Sequence, residues 1–296
     1  MTEGPSGFAM TESEVIARTS GGPVTQRGIE ADLRHLGLAS GQIVLVHASL
    51  SRLGWVVGGG HSVLLALEGI LGPTGTLLMP SFSDGVPEPS RWENPPVPES
   101  WWATIRKEVP AWDPGASPTR QMGVIADSFR HQVGTRQSFH PNKSFVARGP
   151  HATALLSEQS LDDGFGERSP LGRLYDLDGN ILLLGVSHEN NTSLHLAEYR
   201  AEWPGRATRL QFTGRVVREG RIEPVSFSDI DGTSADFEQL GREYEQAGGE
   251  VTRGAVGRGE GRLLRMRPMV DFAVSWISRN RATPPPGSDH RPPPSP

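Results

Sequence analysis

The sequence predicts an α/β fold: a mostly parallel central sheet flanked by helices, with an antiparallel hairpin and a long insertion rich in tryptophan and proline. Three observations lead there. Continuous apolar runs stand at Gln42–His47 (QIVLVH), Thr76–Phe82 (TLLMPSF) and Asn180–Val186 (NILLLGV), as in strands buried on both faces. Helical segments lie between and after these runs. The resulting β-α-β order calls for crossover helices that bring successive strands back parallel.

The elements follow in order. Thr25 is placed to cap a short helix carrying Ile29, Leu33 and Leu36, which Gly37 ends. After the first strand, Ser62 is placed to cap a helix over Val63–Leu71, closed by Gly72 and Pro73. The third strand runs into a helical stretch, Thr192–Arg200. Arg209–Asp229 reads as a hairpin about Glu219-Gly220, with apolar residues alternating on both arms. Helices are expected at Ala235–Ala247 and Met269–Arg279. Ser83–Thr119 breaks the pattern, being long, rich in proline and marked by Trp92, Trp101, Trp102 and Trp112. It is either a functional loop or an inserted cap held down by its tryptophans. Residues 1–22 are polar and expected to be flexible, 23–281 form one domain, and the proline-rich 282–296 reads as a disordered tail.

Composition narrows the function. The 36 glycines and 25 prolines make up about a fifth of the 296 residues, which implies many turns and long loops. With 29 basic and 34 acidic side chains the net charge is −5, against a nucleic-acid partner and mildly towards a cationic one. The absence of cysteine excludes disulfides, thiolate metal sites and a cysteine nucleophile. Neither a signal peptide nor a membrane-length apolar run is visible, so no membrane partner is expected and the cytoplasm is the expected location.

Four segments could carry chemistry. His47–Gly60 follows a buried strand and precedes a helix, and its small and glycine residues leave backbone N–H groups free to meet phosphate. It has neither a Walker loop nor a dinucleotide-binding loop, and a glycine-rich connection without a ligand is the plainer reading. His188–Glu198 lies where a strand ends and a helix begins, the usual address of a site in an open α/β sheet. There His195 is either a general base or an ordinary core histidine. It shares a helix face with Glu198, which with His188 allows a metal reading, but no third ligand stands at a recognised spacing. Asp229 and Asp231 share a face if extended, so one could orient a histidine; local sequence favours a helix-capping role instead. The polar loop Ser138–Ser144 could bind phosphate through Lys143 or Ser144, or be an ordinary loop. No G-x-S-x-G elbow is present to support a serine hydrolase.

Taken together, five segments resemble the aminoglycoside 3-N-acetyltransferase family. They are V-H-A-S-L-S-x-L-G at Val46–Gly54, G-P-T-G-T-L-L-M-P at Gly72–Pro80, H-P-N-K-S-F-x-A-x-G-P at His140–Pro150, L-L-L-G-V-x-H-x-x-N-T-x-L-H-L-A-E at Leu182–Glu198 and V-G-x-G-x-G-R-L-L at Val256–Leu264. Asn94–Trp102 and Gly166–Leu171 look most like the enzymes of antibiotic-producing actinomycetes. The pyrophosphate signature of the general N-acetyltransferase superfamily has only a near miss at Gly254–Gly259.

The resemblance implies the family's own α/β/α sandwich and transfer of acetyl from acetyl-coenzyme A to the 3-amino group of a 2-deoxystreptamine aminoglycoside, with no metal. It implies His195 as general base, a carboxylate partner from Asp229 or Asp231, and Thr192 near the thioester oxygen or leaving sulfur. Ser49 and Ser51, with the backbone of Gly54, Trp55, Val56 and Val57, would meet the coenzyme pyrophosphate, and Ser144 would add a second contact. A polycationic substrate calls for acids, for which Asp84, Glu88, Asp162, Asp163, Glu167, Asp229 and Asp231 are candidates. Alternatives are a non-antibiotic amine as acceptor, a metal-dependent hydrolase on His188, His195 and Glu198, or a module that only sequesters the drug.

Overall fold

The computed structural model describes residues 10–92 and 95–281. The expected tail 282–296 lies outside them, as do residues 1–9 and Asn94 of the tryptophan segment. In chain order the helices are α1 (Glu12–Arg18), α2 (Gln26–His35), α3 (Gly59–Leu71), α4 (Trp102–Glu108), α5 (Gly123–Arg130), α6 (Ala152–Leu155), α7 (Pro170–Asp176), α8 (Leu194–Arg200), α9 (Phe237–Gln246) and α10 (Met266–Asn280). The strands are β1 (Ile43–Ala48), β2 (Thr76–Pro80), β3 (Arg136–Gln137), β4 (Phe145–Arg148), β5 (Asn180–Leu184), β6 (Arg209–Arg218), β7 (Arg221–Ile230), β8 (Val251–Val256) and β9 (Gly259–Arg265).

Seven strands form one sheet in the order β3-β4-β2-β1-β5-β9-β8. Its centre, β2-β1-β5, is parallel, built by the crossovers that the apolar runs call for. The flanks are antiparallel, because β4 turns back along β2 and the β8-β9 hairpin adds to β5. Strand alternation sends Val44 and Val46 to one face, where they meet Ile29, Leu33, Val63, Leu67, Ile125 and Phe129 of α2, α3 and α5. Leu45 points to the opposite face, shared with Ile181 and Leu183 and covered by α6 to α10. The result is three layers with a core on each side of the sheet.

The helix after β1 starts at Gly59, not at Val63. Gly58 takes the cap position with φ 77°, so Ser62 falls within the first turn. A Cβ on Gly58 would come 2.4 Å from Ser62 Oγ, which fixes glycine there. The described part of 1–22 holds a short helix. Thr11 and Glu14 form a capping box that starts α1. Glu12 accepts the indole N–H of Trp55 at 2.9 Å, and Thr19 accepts the Trp55 backbone N–H at 2.8 Å. These partners are distant in sequence, so the local pattern did not reveal them.

β6 and β7 form the expected two-stranded hairpin, and its turn residues Glu219 and Gly220 both have positive φ, 50° and 74°. That is the conformation favoured by tight hairpin turns matched to strand twist. Against this hairpin Val86, Trp112, Val216 and Phe227 make a satellite core. Trp112 donates its N–H to Arg215 O at 2.8 Å and accepts from Val217 N–H at 2.7 Å. The long insertion is therefore pinned to the hairpin by one buried tryptophan, whereas Trp101 is exposed. β7 runs through Ile230 and the cap position of α9 is Asp236, so Asp229 and Asp231 do not cap a helix. Among the described residues no helix is long and apolar enough to cross a membrane.

Candidate active site

β1, β2 and β5 are parallel, so their carboxyl ends share one edge, and a cavity of about 230 Å³ opens there. His47, Phe82, Met122, Thr192, His195 and Phe237 are among its lining residues. This is where an open α/β sheet places its ligand, because the loops leaving adjacent strands diverge.

His195 reaches the cavity through a short chain of local causes. Gly185 turns the backbone after β5 with φ 64°. Asn191 Oδ1 then accepts from the backbone N–H and the hydroxyl of Ser193, at 3.3 and 2.6 Å, and holds the entry to α8. One turn along the helix, Glu198 Oε2 lies 2.6 Å from His195 Nδ1. The imidazole is stacked on Phe165, with centroids 4.8 Å apart and planes at 12°, and meets Phe237 edge-on at 4.8 Å. Since Nδ1 is bonded to a carboxylate, Nε2 is the nitrogen left for a ligand.

Glu198 is fully buried and held from three sides. Its Oε1 accepts from Arg281 Nη1 at 2.6 Å and from the Thr233 backbone N–H at 2.9 Å. Burial alone would push this carboxyl up, but His195 and Arg281 together outweigh it and hold it below the ordinary carboxylate range. Arg281 is in turn paired with Asp236 and lies over the Trp203 ring at 4.9 Å. A Cβ on Gly232 would approach Glu198 Oε2 to 2.6 Å, so the segment after β7 needs glycine to pass this close.

The carboxylate on His195 Nδ1 is thus Glu198, and the expectation of Asp229 or Asp231 in that place is corrected. Asp229 is buried elsewhere: it accepts from Lys143 Nζ at 2.8 Å, Tyr199 Oη at 2.6 Å and the Gly164 N–H at 3.2 Å. Burial would raise its carboxyl, yet the Lys143 ammonium and these donors bring it below the usual range. Asp231 follows the end of β7 and donates its backbone N–H to Thr208 O. Thr192 does come together with His195, lining the same cavity and accepting the His195 N–H at 3.0 Å through its carbonyl.

The expected coenzyme contacts fare differently. Ser49 and Ser51 face each other with their hydroxyls 3.4 Å apart, outside the cavity lining. The N–H groups of Trp55 and Val57 are already taken by Thr19 Oγ1 and Val24 O, and Val56 is buried beside Val24. Gly54 packs against Arg258, whose Cγ a Cβ would meet at 2.7 Å. The N–H groups of Trp55 and Val57 could therefore meet pyrophosphate only by giving up these bonds. Ser144 is fully buried, donating to Ser81 O at 2.6 Å and accepting from Gln137 Nε2 at 3.0 Å, so its role is to join β4 to β2.

The candidate substrate acids are already partnered and do not line this cavity. Asp84 is paired with Arg120, whose guanidinium lies 4.6 Å over Trp92, and Glu88 with Arg106 at 2.6 Å. Asp162 Oδ1 accepts the Ser228 N–H at 2.9 Å, and Glu167 meets Arg200 through both oxygens at 2.7 and 2.8 Å. Half-burial raises the carboxyl of Asp163, reinforced by the nearby Asp229 charge. The metal alternative is not assembled: His188 Nε2 turns to Glu245 at 3.0 Å, and no three His, Asp or Glu side chains group as a metal site among the described residues.

Sequence reasoning missed the two phenylalanines that clamp His195, and Arg281. Each arrives from a separate segment, and only the shared helix face of His195 and Glu198 was legible locally.

The chain is similar to the SPbeta prophage-derived aminoglycoside N(3')-acetyltransferase-like protein YokD of Bacillus subtilis (strain 168), 39% identical over 259 residues, covering 87% of this chain and 94% of that one. The crystal structure of YokD superposes with a TM-score of 0.84 over 90% of this chain and 98% of its own. Aminoglycoside N(3)-acetyltransferase VII of Streptomyces paromomycinus is 35% identical over 278 residues, 88% of this chain and 94% of the relative. AAC-IIIb, solved as a binary complex with CoASH, is 29% identical with a TM-score of 0.77, covering 90% of this chain and 100% of that one. The sequence pattern of one family extends over residues 45–278, the whole cavity lining included, and the chain belongs to that family, the aminoglycoside 3-N-acetyltransferases.

Proposed function

We propose that this protein transfers the acetyl group of acetyl-coenzyme A to the 3-amino group of a 2-deoxystreptamine aminoglycoside in the cavity at the strand ends. The observation that carries this reading is the bond between His195 Nδ1 and the buried Glu198. It sets the tautomer that leaves Nε2 as a proton acceptor, which is what an amine nucleophile needs. Family membership and the relative solved with CoASH support the choice of acyl donor.

In this reading Nε2 of His195 takes a proton as the amine nitrogen adds to the thioester carbonyl. Glu198 stabilises the imidazolium formed, and Arg281 keeps Glu198 ionised and in place. Thr192 lies beside the base, where a hydroxyl can meet the tetrahedral oxyanion. The carbon–sulfur bond then breaks and coenzyme A leaves as thiolate, so no covalent acetyl-enzyme is needed. Positioned proton transfer of this kind contributes on the order of 100- to 10,000-fold. A cytoplasmic site of action accords with where acetyl-coenzyme A is made.

The test is thiol release from acetyl-coenzyme A across a panel of aminoglycosides, with mass spectrometry locating the acetyl group. Acetylation at the 3-amino position is expected. Release only with amines outside the panel would make the acceptor a different metabolite, and binding without release would make the protein a sequestering module.

A further inference from the structure

Of the β1 and β2 residues lining the cavity (Val46, His47, Ala48, Met79 and Pro80), His47 alone is polar. It pairs with Leu183 of β5, and alternation places it on the face of Leu45, Ile181 and Leu183. A leucine would complete that apolar layer. The imidazole instead leaves Nε2 buried with no hydrogen-bond partner, an arrangement that costs stability. His188 is held by Glu245; the Nε2 of His140 is also buried without a partner, but His140 does not line this cavity, and its Nδ1 accepts the N–H groups of Asn142 and Lys143. A destabilising polar group at the wall of a cavity points to a partner that arrives with the ligand.

The chemistry of that partner follows from the charge state. Burial, reinforced by the neighbouring His195, lowers the pKa of His47 to about 3. The ring therefore stays neutral, keeps one N–H, and does not compete with His195 for a proton. A neutral donor also avoids repelling the imidazolium that His195 becomes.

We propose that His47 is a second catalytic residue, giving an uncharged imidazole N–H to the acyl carbonyl oxygen as that oxygen gains negative charge. The proposal rests on the acyl-transfer reading of the cavity. As the amine nitrogen bonds to the carbonyl carbon, the carbonyl π pair moves to oxygen and is stabilised there by the hydrogen bond. No proton passes to or from His47. The pair returns when the carbon–sulfur bond breaks.

Two variants test it, H47L and H47Q, with kcat, KM and melting temperature measured on the full chain. H47L is expected to lower kcat by on the order of 100-fold, the scale of losing one oxyanion donor. Its KM for acetyl-coenzyme A should stay close to wild type and its Tm should rise, because leucine suits the layer. A structural histidine would give the opposite Tm shift. H47Q keeps an N–H donor of similar reach and should recover at least about tenfold of the lost kcat. Wild-type kcat in H47L, or a loss that H47Q does not restore, overturns the proposal. If the wild-type protein releases no thiol with any acceptor, the acyl-transfer reading itself fails and this one with it. Normal wild-type turnover with indifferent variants sinks His47 alone.

Discussion

Nδ1 of His195 and Oε2 of Glu198 lie 2.6 Å apart on one face of α8, and the carboxylate between His195 and Arg281 is fully shielded from solvent. His195 is thus oriented by its own helix, while the end of α10 supplies the cation that keeps its partner charged. Four expectations follow from this cluster and its neighbours.

His195→Ala should abolish acetyl transfer while coenzyme binding, measured by calorimetry, stays within a few-fold of wild type. Near-normal turnover in this variant would place the base elsewhere.

Glu198→Gln preserves shape and removes the charge that stabilises the imidazolium. Turnover should fall by roughly 10- to 1,000-fold, within the range for disturbing a positioned proton transfer. Glu198→Ala should also unfold more easily, by about 2 kcal/mol, because Arg281 and the Thr233 N–H each lose an acceptor while Asp236 still pairs Arg281. Restoring stability by adding Arg281→Met to Glu198→Ala would confirm the origin of that loss. Full activity in Glu198→Gln would contradict the pairing's catalytic role.

Asp229→Ala tests the corrected assignment. Its carboxylate holds Lys143, Tyr199 and Gly164 together, so the expected effect is on stability, about 3 kcal/mol by denaturant titration. Turnover of the folded fraction should change far less than in Glu198→Gln. A variant that is stable but inactive would show that Asp229 acts in the chemistry after all.

Stability should decline on the acid side well before the carboxylates titrate. Burial first, and nearby charges second, depress His47 and His140 to about 3 and His188 to about 4. Unfolded, each binds a proton near pH 6.5. The unfolded state therefore takes up more protons as pH falls from about 6.5, and stability is lost through that window at up to about 1.4 kcal/mol per pH unit for each histidine. Glu198 and Asp229, depressed carboxylates, contribute stability above their unfolded values near 4 that is lost as pH drops through their folded ones. Denaturant midpoints measured from pH 7.5 to 4 check this, and a flat profile down to pH 5 would contradict it.

Much of this molecule was written locally. The apolar runs set the parallel strands, Thr25 and Gly37 bracket α2, and Glu219-Gly220 names its own turn, because strand period, capping and turn chemistry depend on a few neighbouring residues. The address of the site was legible too, since a strand end leading into a helix marks it, and His195 stands there. The insertion was legible as an interruption, either a functional loop or a cap held by its tryptophans, but the contacts of Trp112 were not, because they depend on Arg215 and Val217 of the hairpin.

What the tertiary structure alone decided was which charges meet. The spacing of His195 and Glu198 was visible, yet it fits a metal pair as readily as a base and its carboxylate. Arg281, 83 residues away from Glu198, takes the other oxygen of that carboxylate, and Lys143 claims Asp229 across 86. Thr19 and Val24 likewise take the N–H groups of the glycine-rich loop that looked free for phosphate. A carboxylate or an N–H group has the same chemistry in every segment. Its role depends on which partner the fold brings within hydrogen-bond reach after water has been removed, and a distant partner leaves no trace in local sequence.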